Sequence, residues 1–178
     1  MSESLVFNNY INGEFISVQD RLEVFNPADG HLIAQIPNST VADVDDAVAA
    51  AKAAQKSWAS KAAVERAVVL HQIADQIRAN ANAFARTIAR EQGKVMGLAQ
   101  AEVDSAAGYF DYTAEWARRI EGEVITSDRS DEHIFLRHKP IGVVAGILPW
   151  NFPFFLIARK VAPALLTGNT IVIKPSQE

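Results

Sequence analysis

The spacing of apolar and polar positions divides this chain into a β segment, a helical segment and a second β segment that contains one more helix. In the first, Tyr10-Ile11 and Glu14-Phe15-Ile16 flank Asn12-Gly13, the dipeptide that best tolerates the positive φ values of a tight hairpin turn. Residues 22–25 and 31–36 form a second pair. They are separated by the turn-forming run Asn26-Pro27-Ala28-Asp29-Gly30 and closed by Pro37-Asn38-Ser39.

Three helices are predicted next, each from an apolar stripe at a spacing of three or four. The first begins at a cap, Ser39 or Thr40, and its stripe is Val44, Ala47, Val48, Ala51 and Trp58. The second carries Leu70, Ile73, Ile77, Phe84 and Ile88 and ends near Gly93. The third, about 96–119, carries Leu98, Ala101, Tyr109, Tyr112 and Trp116. All three stripes read as core-facing.

Beyond Gly122, residues 123–126 and 133–139 form a hairpin around the polar run Ser127-Asp128-Arg129-Ser130-Asp131-Glu132, and Pro140 breaks it. Residues 141–148 are nearly all apolar, the pattern of a strand buried on both faces of a parallel sheet. The run Pro149-Trp150-Asn151-Phe152-Pro153 turns into a helix, Gly168-Asn169 stops it, and 170–174 is a second buried strand. Pro163 removes one backbone hydrogen bond from that helix and predicts a kink or a short second helical segment. A strand-helix-strand unit with parallel neighbouring strands puts the chain in the α/β class, at the opening of a nucleotide-binding sheet. No repeat, low-complexity tract or linker marks a domain boundary.

Composition adds exclusions. The 178 residues are 49% hydrophobic and 21% charged, ordinary for a globular protein of one domain. A net charge of −4, with Arg118-Arg119 and Arg137-His138-Lys139 as the only basic clusters, gives no footprint for nucleic acid or an anionic membrane. Cysteine is absent, so the chain offers no disulfide, no thiolate metal ligand and no thiol nucleophile. Met1-Ser2-Glu3-Ser4 has no basic run leading into an apolar stretch, and 141–148 and 152–157 are far shorter than the roughly 20 residues of a membrane span, so a cytoplasmic location is expected. His31, His71, His133 and His138 have no metal-ligand spacing, and no glycine fingerprint of a dinucleotide or phosphate loop is present.

Two residues stand where chemistry belongs. Asn151 follows a strand and precedes a helix, at the carboxyl edge where open α/β sheets bind ligands. It reads either as a helix N-cap or as a fixed N–H donor for a developing oxyanion, an interaction of about 3 kcal/mol. Lys174 ends the second strand before Pro175. It is either a lysine extending from a strand end or a donor to the ribose or phosphate of a nucleotide, with Ser176 beside it.

Leu148-Pro149-Trp150-Asn151-Phe152-Pro153, Ala162-Pro163-Ala164-Leu165-Leu166-Thr167-Gly168-Asn169-Thr170 and Lys174-Pro175-Ser176 resemble the NAD(P)-dependent aldehyde dehydrogenase superfamily. The resemblance extends through Asn26-Pro27, Glu91-Gln92-Gly93-Lys94 and 112–119 to cover essentially the whole chain, and 115–176 is most similar to the lactaldehyde/glycolaldehyde dehydrogenases. It implies that Asn151 is the oxyanion-hole amide, that Ile147, Leu148, Pro149 and Trp150 line the nicotinamide end of the cofactor cleft, and that Lys174, Ser176 and Gln177 face the adenosine ribose. Phe152 and Leu156 would border the aldehyde tunnel.

On the same resemblance, 1–122 is part of the cofactor-binding domain, 123–140 is an oligomerisation arm and 141–178 is the first strand-helix-strand unit of the cofactor sheet. NAD is the expected cofactor. Gln177 stands where many NAD-preferring members have a Glu that repels a 2′-phosphate, and Glu178 points to the other side of an extended segment, so NADP is less excluded than usual.

The family mechanism needs a thiolate that attacks the aldehyde and a Glu that activates water against the thioester. Both belong to a catalytic domain that this chain lacks. The expectation is an N-terminal portion of an oxidoreductase acting on a small hydroxyaldehyde, inactive alone, and associated with like copies or with a complementing C-terminal chain. The alternative is a non-catalytic remnant or interaction module.

Overall fold

The computed structural model describes residues 5–177. Met1-Ser2-Glu3-Ser4, read for a leader, and Glu178, weighed against Gln177, lie outside the described residues. Strands β1 (Leu5–Val6), β4 (Arg21–Phe25) and β5 (Leu32–Pro37) make one sheet in the order β1-β5-β4, with β1 parallel and β4 antiparallel to β5. Strands β2 (Asn9–Ile11) and β3 (Glu14–Ile16) form the expected hairpin. Asn12 and Gly13 turn it with φ of 53° and 83°, the left-handed geometry for which that dipeptide is suited.

Four α-helices follow where three were expected: α1 (Val41–Ser60), α2 (Ala63–Ala79), α3 (Ala81–Gln92) and α4 (Met96–Ala114), the last continued by a 3-10 turn, Glu115–Arg118. Thr40 caps α1, its hydroxyl accepting from the Asp43 N–H while the Asp43 carboxylate accepts from the Thr40 N–H at 2.7 Å. The second expected helix is two, broken at Asn80, whose backbone leaves the helical region and whose side chain turns back to the Gln76 carbonyl at 2.9 Å. Ile77, Phe84 and Ile88 keep one phase across the break, which hides it from the apolar pattern.

Two of the stripes read as core-facing are corrected. No residue of α1 is buried; the helix meets its neighbours through polar bonds, Trp58 Nε1 to the Leu165 carbonyl at 2.9 Å and the Ala51 carbonyl accepting from Thr170 Oγ1 at 2.8 Å. On α4, Leu98, Ala101, Tyr112 and Trp116 are exposed, and the buried face is Ala99, Val103, Ala106, Ala107, Phe110 and Ala114. A face made mostly of small residues lets α2 and α5 (Pro153–Leu166) approach closely; of the rings, Phe110 is enclosed, Tyr109 is half-buried, and Tyr112 and Trp116 stay outside. The core is this helical packing, completed by Leu70 and Ala74 of α2 and by Ala158, Ala162 and Leu166 of α5. Arg66 is buried beside it, its guanidinium donating to the carbonyls of Leu166, Lys61 and Ala59.

Strands β6 (Glu123–Thr126) and β7 (His133–Leu136) form the second expected hairpin, with every residue exposed. Strands β8 (Val143–Ile147) and β9 (Thr170–Lys174) are parallel neighbours joined by α5, in register from Val143 opposite Thr170 to Ile147 opposite Lys174. The expectation that 141–148 is buried on both faces is not met: Ile141 is 85% and Ile147 74% exposed, because β8 pairs only with β9 among the described strands. The second helical segment expected from Pro163 is also absent. The helix runs unbroken from Pro153 to Leu166, and the carbonyl that Pro163 leaves without a donor belongs to the exposed Arg159. No helix among the described residues is long and apolar enough to cross a membrane.

Candidate functional site

The ladder of β8 and β9 continues one step past the strand, the Leu148 N–H donating to the Lys174 carbonyl at 3.1 Å. Leu148 is buried and anchors the turn, leaving only its backbone for a ligand, whereas Pro149, Trp150, Asn151 and Phe152 are exposed. The N-cap of α5 is Phe152 rather than Asn151, and no side chain of its own segment caps it. The capping reading of Asn151 therefore does not hold. Its side-chain amide makes no hydrogen bond among the described residues and stands free at the carboxyl edge of the sheet.

Three side chains that carried no role in the sequence reading hold this turn. Gln92 Nε2 donates to the Trp150 carbonyl, and the Gln92 Oε1 is buried with no partner among the described residues. Lys94 Nζ donates to the Asn151 carbonyl at 3.1 Å and to the Glu102 carboxylate at 2.5 Å, and lies 4.3 Å from the centroid of the Phe152 ring. Glu102 Oε1 accepts the N–H groups of Phe154 and Phe155 at 2.9 and 3.2 Å, doing for α5 what a cap residue does. Glu102 sits among Ala99, Val103 and Ala106 on the buried face of α4, a face that the apolar spacing alone does not single out. The stripe of Leu98, Ala101, Tyr109 and Tyr112 on the same helix has an equal spacing and conceals it.

The other predicted residues gather around the same edge. Ile147 and Lys174 face each other across the last rung, both exposed, and the Lys174 ammonium makes no ion pair or hydrogen bond among the described residues. Ser176 is half-buried and Gln177 exposed. Phe152 is exposed under Lys94, and the half-buried Leu156 follows one turn later on α5, its N–H donating to the Phe152 carbonyl at 3.0 Å. An ammonium without a counter-ion among the described residues, a neighbouring hydroxyl and exposed backbone at a parallel strand edge are donors of the kind a dinucleotide requires, so the residues present fit that cofactor.

A cavity of about 200 Å³ lies between α3, α5 and the strand ends, walled by Phe84, Glu91, Leu148, Pro149, Phe154 and Ser176. Burial pushes the Glu91 carboxyl above its ordinary range. The larger cavity, about 440 Å³, is a wide polar depression at the root of the β6–β7 hairpin, between Arg119 and His138, and contains none of the strand-end residues. Asn151 and Lys174 line neither cavity; the smaller one reaches their edge of the sheet through Leu148, Pro149 and Ser176.

The parallel strand ends thus carry an amide and an ammonium that have no partner among the described residues, beside a helix that starts at Pro153, and such an edge is where open α/β sheets bind ligands. Residues 15–178 match the aldehyde dehydrogenase family, and the chain belongs to that family, with an α/β fold that corresponds to its N-terminal part. It is 51% identical over 170 residues to the lactaldehyde dehydrogenase of Escherichia coli (strain K12), a match covering 94% of this chain and 36% of that enzyme. The crystal structure of lactaldehyde dehydrogenase from Escherichia coli superposes with a TM-score of 0.96 at 49% identity, over 98% of this chain and 37% of that one. The structure of 3,6-anhydro-L-galactose dehydrogenase in complex with NAP gives a TM-score of 0.94 at 36% identity, over 97% of this chain and 37% of that one. The chain thus spans about a third of the length of the relatives it matches.

Proposed function

We propose that this chain is the N-terminal portion of an aldehyde dehydrogenase that oxidises a small hydroxyaldehyde, such as lactaldehyde or glycolaldehyde, to the acid with NAD. The observation that carries the reading is the Asn151 amide, unpartnered and exposed at the carboxyl edge of β8, where it donates to whatever carbonyl oxygen is placed there. The likeness to the Escherichia coli lactaldehyde dehydrogenase supports the substrate class. Lys174 and Ser176 hold the adenosine ribose, and the backbone of Ile147, Leu148, Pro149 and Trp150 borders the nicotinamide. Gln177 bonds the ribose diol without repelling a 2′-phosphate, which leaves NADP as a second cofactor. When bound, the cofactor supplies the hydride acceptor. Phe152 and Leu156 exclude water beside the aldehyde.

The division of the chain follows the same reading: 1–122 belongs to the cofactor-binding domain, 123–140 is an arm that pairs with another copy, and 141–178 opens the cofactor sheet. The arm reading rests on its exposed apolar residues, Val124 and Phe135 among them. With no cysteine in the chain, the thiolate step of the family mechanism requires residues outside this sequence. Purified alone, the chain is expected to form no NADH from lactaldehyde or glycolaldehyde. A chimera carrying residues 1–178 in place of the matching third of the Escherichia coli lactaldehyde dehydrogenase is expected to turn over, and Asn151→Ala there lowers kcat about a hundredfold or more. Unchanged kcat in that variant would remove Asn151 from the chemistry.

A further inference from the structure

The Asn151 amide has no partner among the described residues, so what is fixed is the backbone position and Cα–Cβ direction from which its rotamers reach. That backbone is fixed from outside the strand-helix-strand unit. Lys94, from the corner between α3 and α4, bonds the Asn151 carbonyl and the Glu102 carboxylate, and Glu102 bonds the first two free N–H groups of α5. The pair is enclosed, with the Glu102 side chain 0% and the Lys94 side chain 14% exposed. Charge-assisted hydrogen bonds are short and directional, whereas apolar packing of equal volume would bury the turn without fixing the direction of its peptide planes. One carboxylate thus couples both sides of Asn151, its own carbonyl through Lys94 and the helix that follows through Phe154 and Phe155.

Resting on the reading of Asn151 as the oxyanion donor, we infer that Lys94 and Glu102 are positioning residues for that donor. They touch neither aldehyde nor cofactor. They hold the turn so that the backbone of Asn151 already stands where its amide can reach the developing charge, and the turn itself needs no reorganisation at the moment of reaction.

The test is a double-mutant cycle in the chimera described above, with Lys94→Met, Lys94→Arg, Asn151→Ala and the Lys94→Met/Asn151→Ala pair. Lys94→Met is expected to lower kcat roughly ten- to a hundredfold with the aldehyde KM within about twofold, since misplacing a group by about 1 Å costs on the order of a hundredfold. Lys94→Arg, which keeps the charge on Glu102, recovers most of the loss. In the Asn151→Ala background the same Lys94→Met change alters kcat less than about threefold, because its target is gone. An equal loss in both backgrounds, or no loss in either, overturns the inference while leaving Asn151 in its role. An unaltered kcat in Asn151→Ala alone overturns the underlying reading instead.

Hydrogen exchange of the 178-residue chain gives a second measurement that needs no turnover. Lys94→Met is expected to accelerate exchange in peptides spanning 149–155 and to leave those spanning 67–77 of the core unchanged. Protection of 149–155 equal to that of the parent chain would overturn the positioning role.

Discussion

Different forces hold the helical core and the strand-end turn. Between α2, α4 and α5 the enclosed residues are mostly alanine with Leu70, Val103, Phe110 and Leu166, and close approach of backbones provides the stability. Pro149, Trp150, Asn151 and Phe152 all stay exposed, and their backbone is fixed by a buried carboxylate, an ammonium and an amide reaching from α3, α4 and the corner between them. A core built from volume tolerates changes of surface charge. A turn built from charge leaves its own side chains exposed, which is what a residue that must meet a ligand requires. Glu102 is where the two regions join, because it lies on the buried face of α4 and bonds the start of α5.

Removing that joint is expected to have the largest effect. Glu102→Ala leaves Lys94 enclosed without its carboxylate and the first N–H groups of α5 without an acceptor, at a cost of about 3–5 kcal/mol, read from chemical unfolding. A cost below about 1 kcal/mol would mean that water takes over the role and that the two regions are independent. Leu70→Ala, at a fully buried site, is expected to destabilise by about 2–5 kcal/mol. Ile147→Ala on the exposed side of β8 should change stability by less than about 0.5 kcal/mol in the same measurement. Similar values for the two would erase the distinction between core and edge.

A smaller effect is expected at Gly168, where φ is +85° and an added Cβ would stand 2.8 Å from the Pro140 ring and 3.4 Å from the Arg66 guanidinium. Gly168→Ala should lower the thermal midpoint by an amount equivalent to roughly 1–3 kcal/mol.

The smallest concerns Glu91 beside the cavity. Burial raises its carboxyl above the ordinary value of 4.5, so the folded chain binds that proton more tightly than the unfolded chain. Its contribution is fully present below that value and is lost as pH rises through the folded value. Glu91→Gln is therefore expected to raise the thermal midpoint at neutral pH, with the gain vanishing in acid. A gain that persists unchanged in acid would assign it to packing rather than to charge.

Local chemistry was legible wherever a few neighbouring residues dictate the backbone. Asn12-Gly13 turns its hairpin, Thr40, one of the two expected caps, caps α1, and the apolar runs 141–148 and 170–174 pair in parallel across a helix. The carboxyl-edge placement of Asn151 and Lys174 follows from the same reasoning, since a strand followed by a turn fixes where its last side chains lie. The phase of α4 was decided elsewhere. Either face of that helix satisfies an apolar spacing, and only the presence of α2 and α5 at close range selects the alanine-rich face with Val103 and Phe110 over the one with Leu98 and Tyr112. For the same reason Glu102 could not be recognised locally, because its partners lie 8 residues away at Lys94 and 52 and 53 residues away at Phe154 and Phe155, and they meet only when the helices pack. The sequence by itself determined which segments turn, coil or extend; the tertiary structure decided which faces are buried and what holds the donor in place, because burial is a relation between segments and not a property of any one of them.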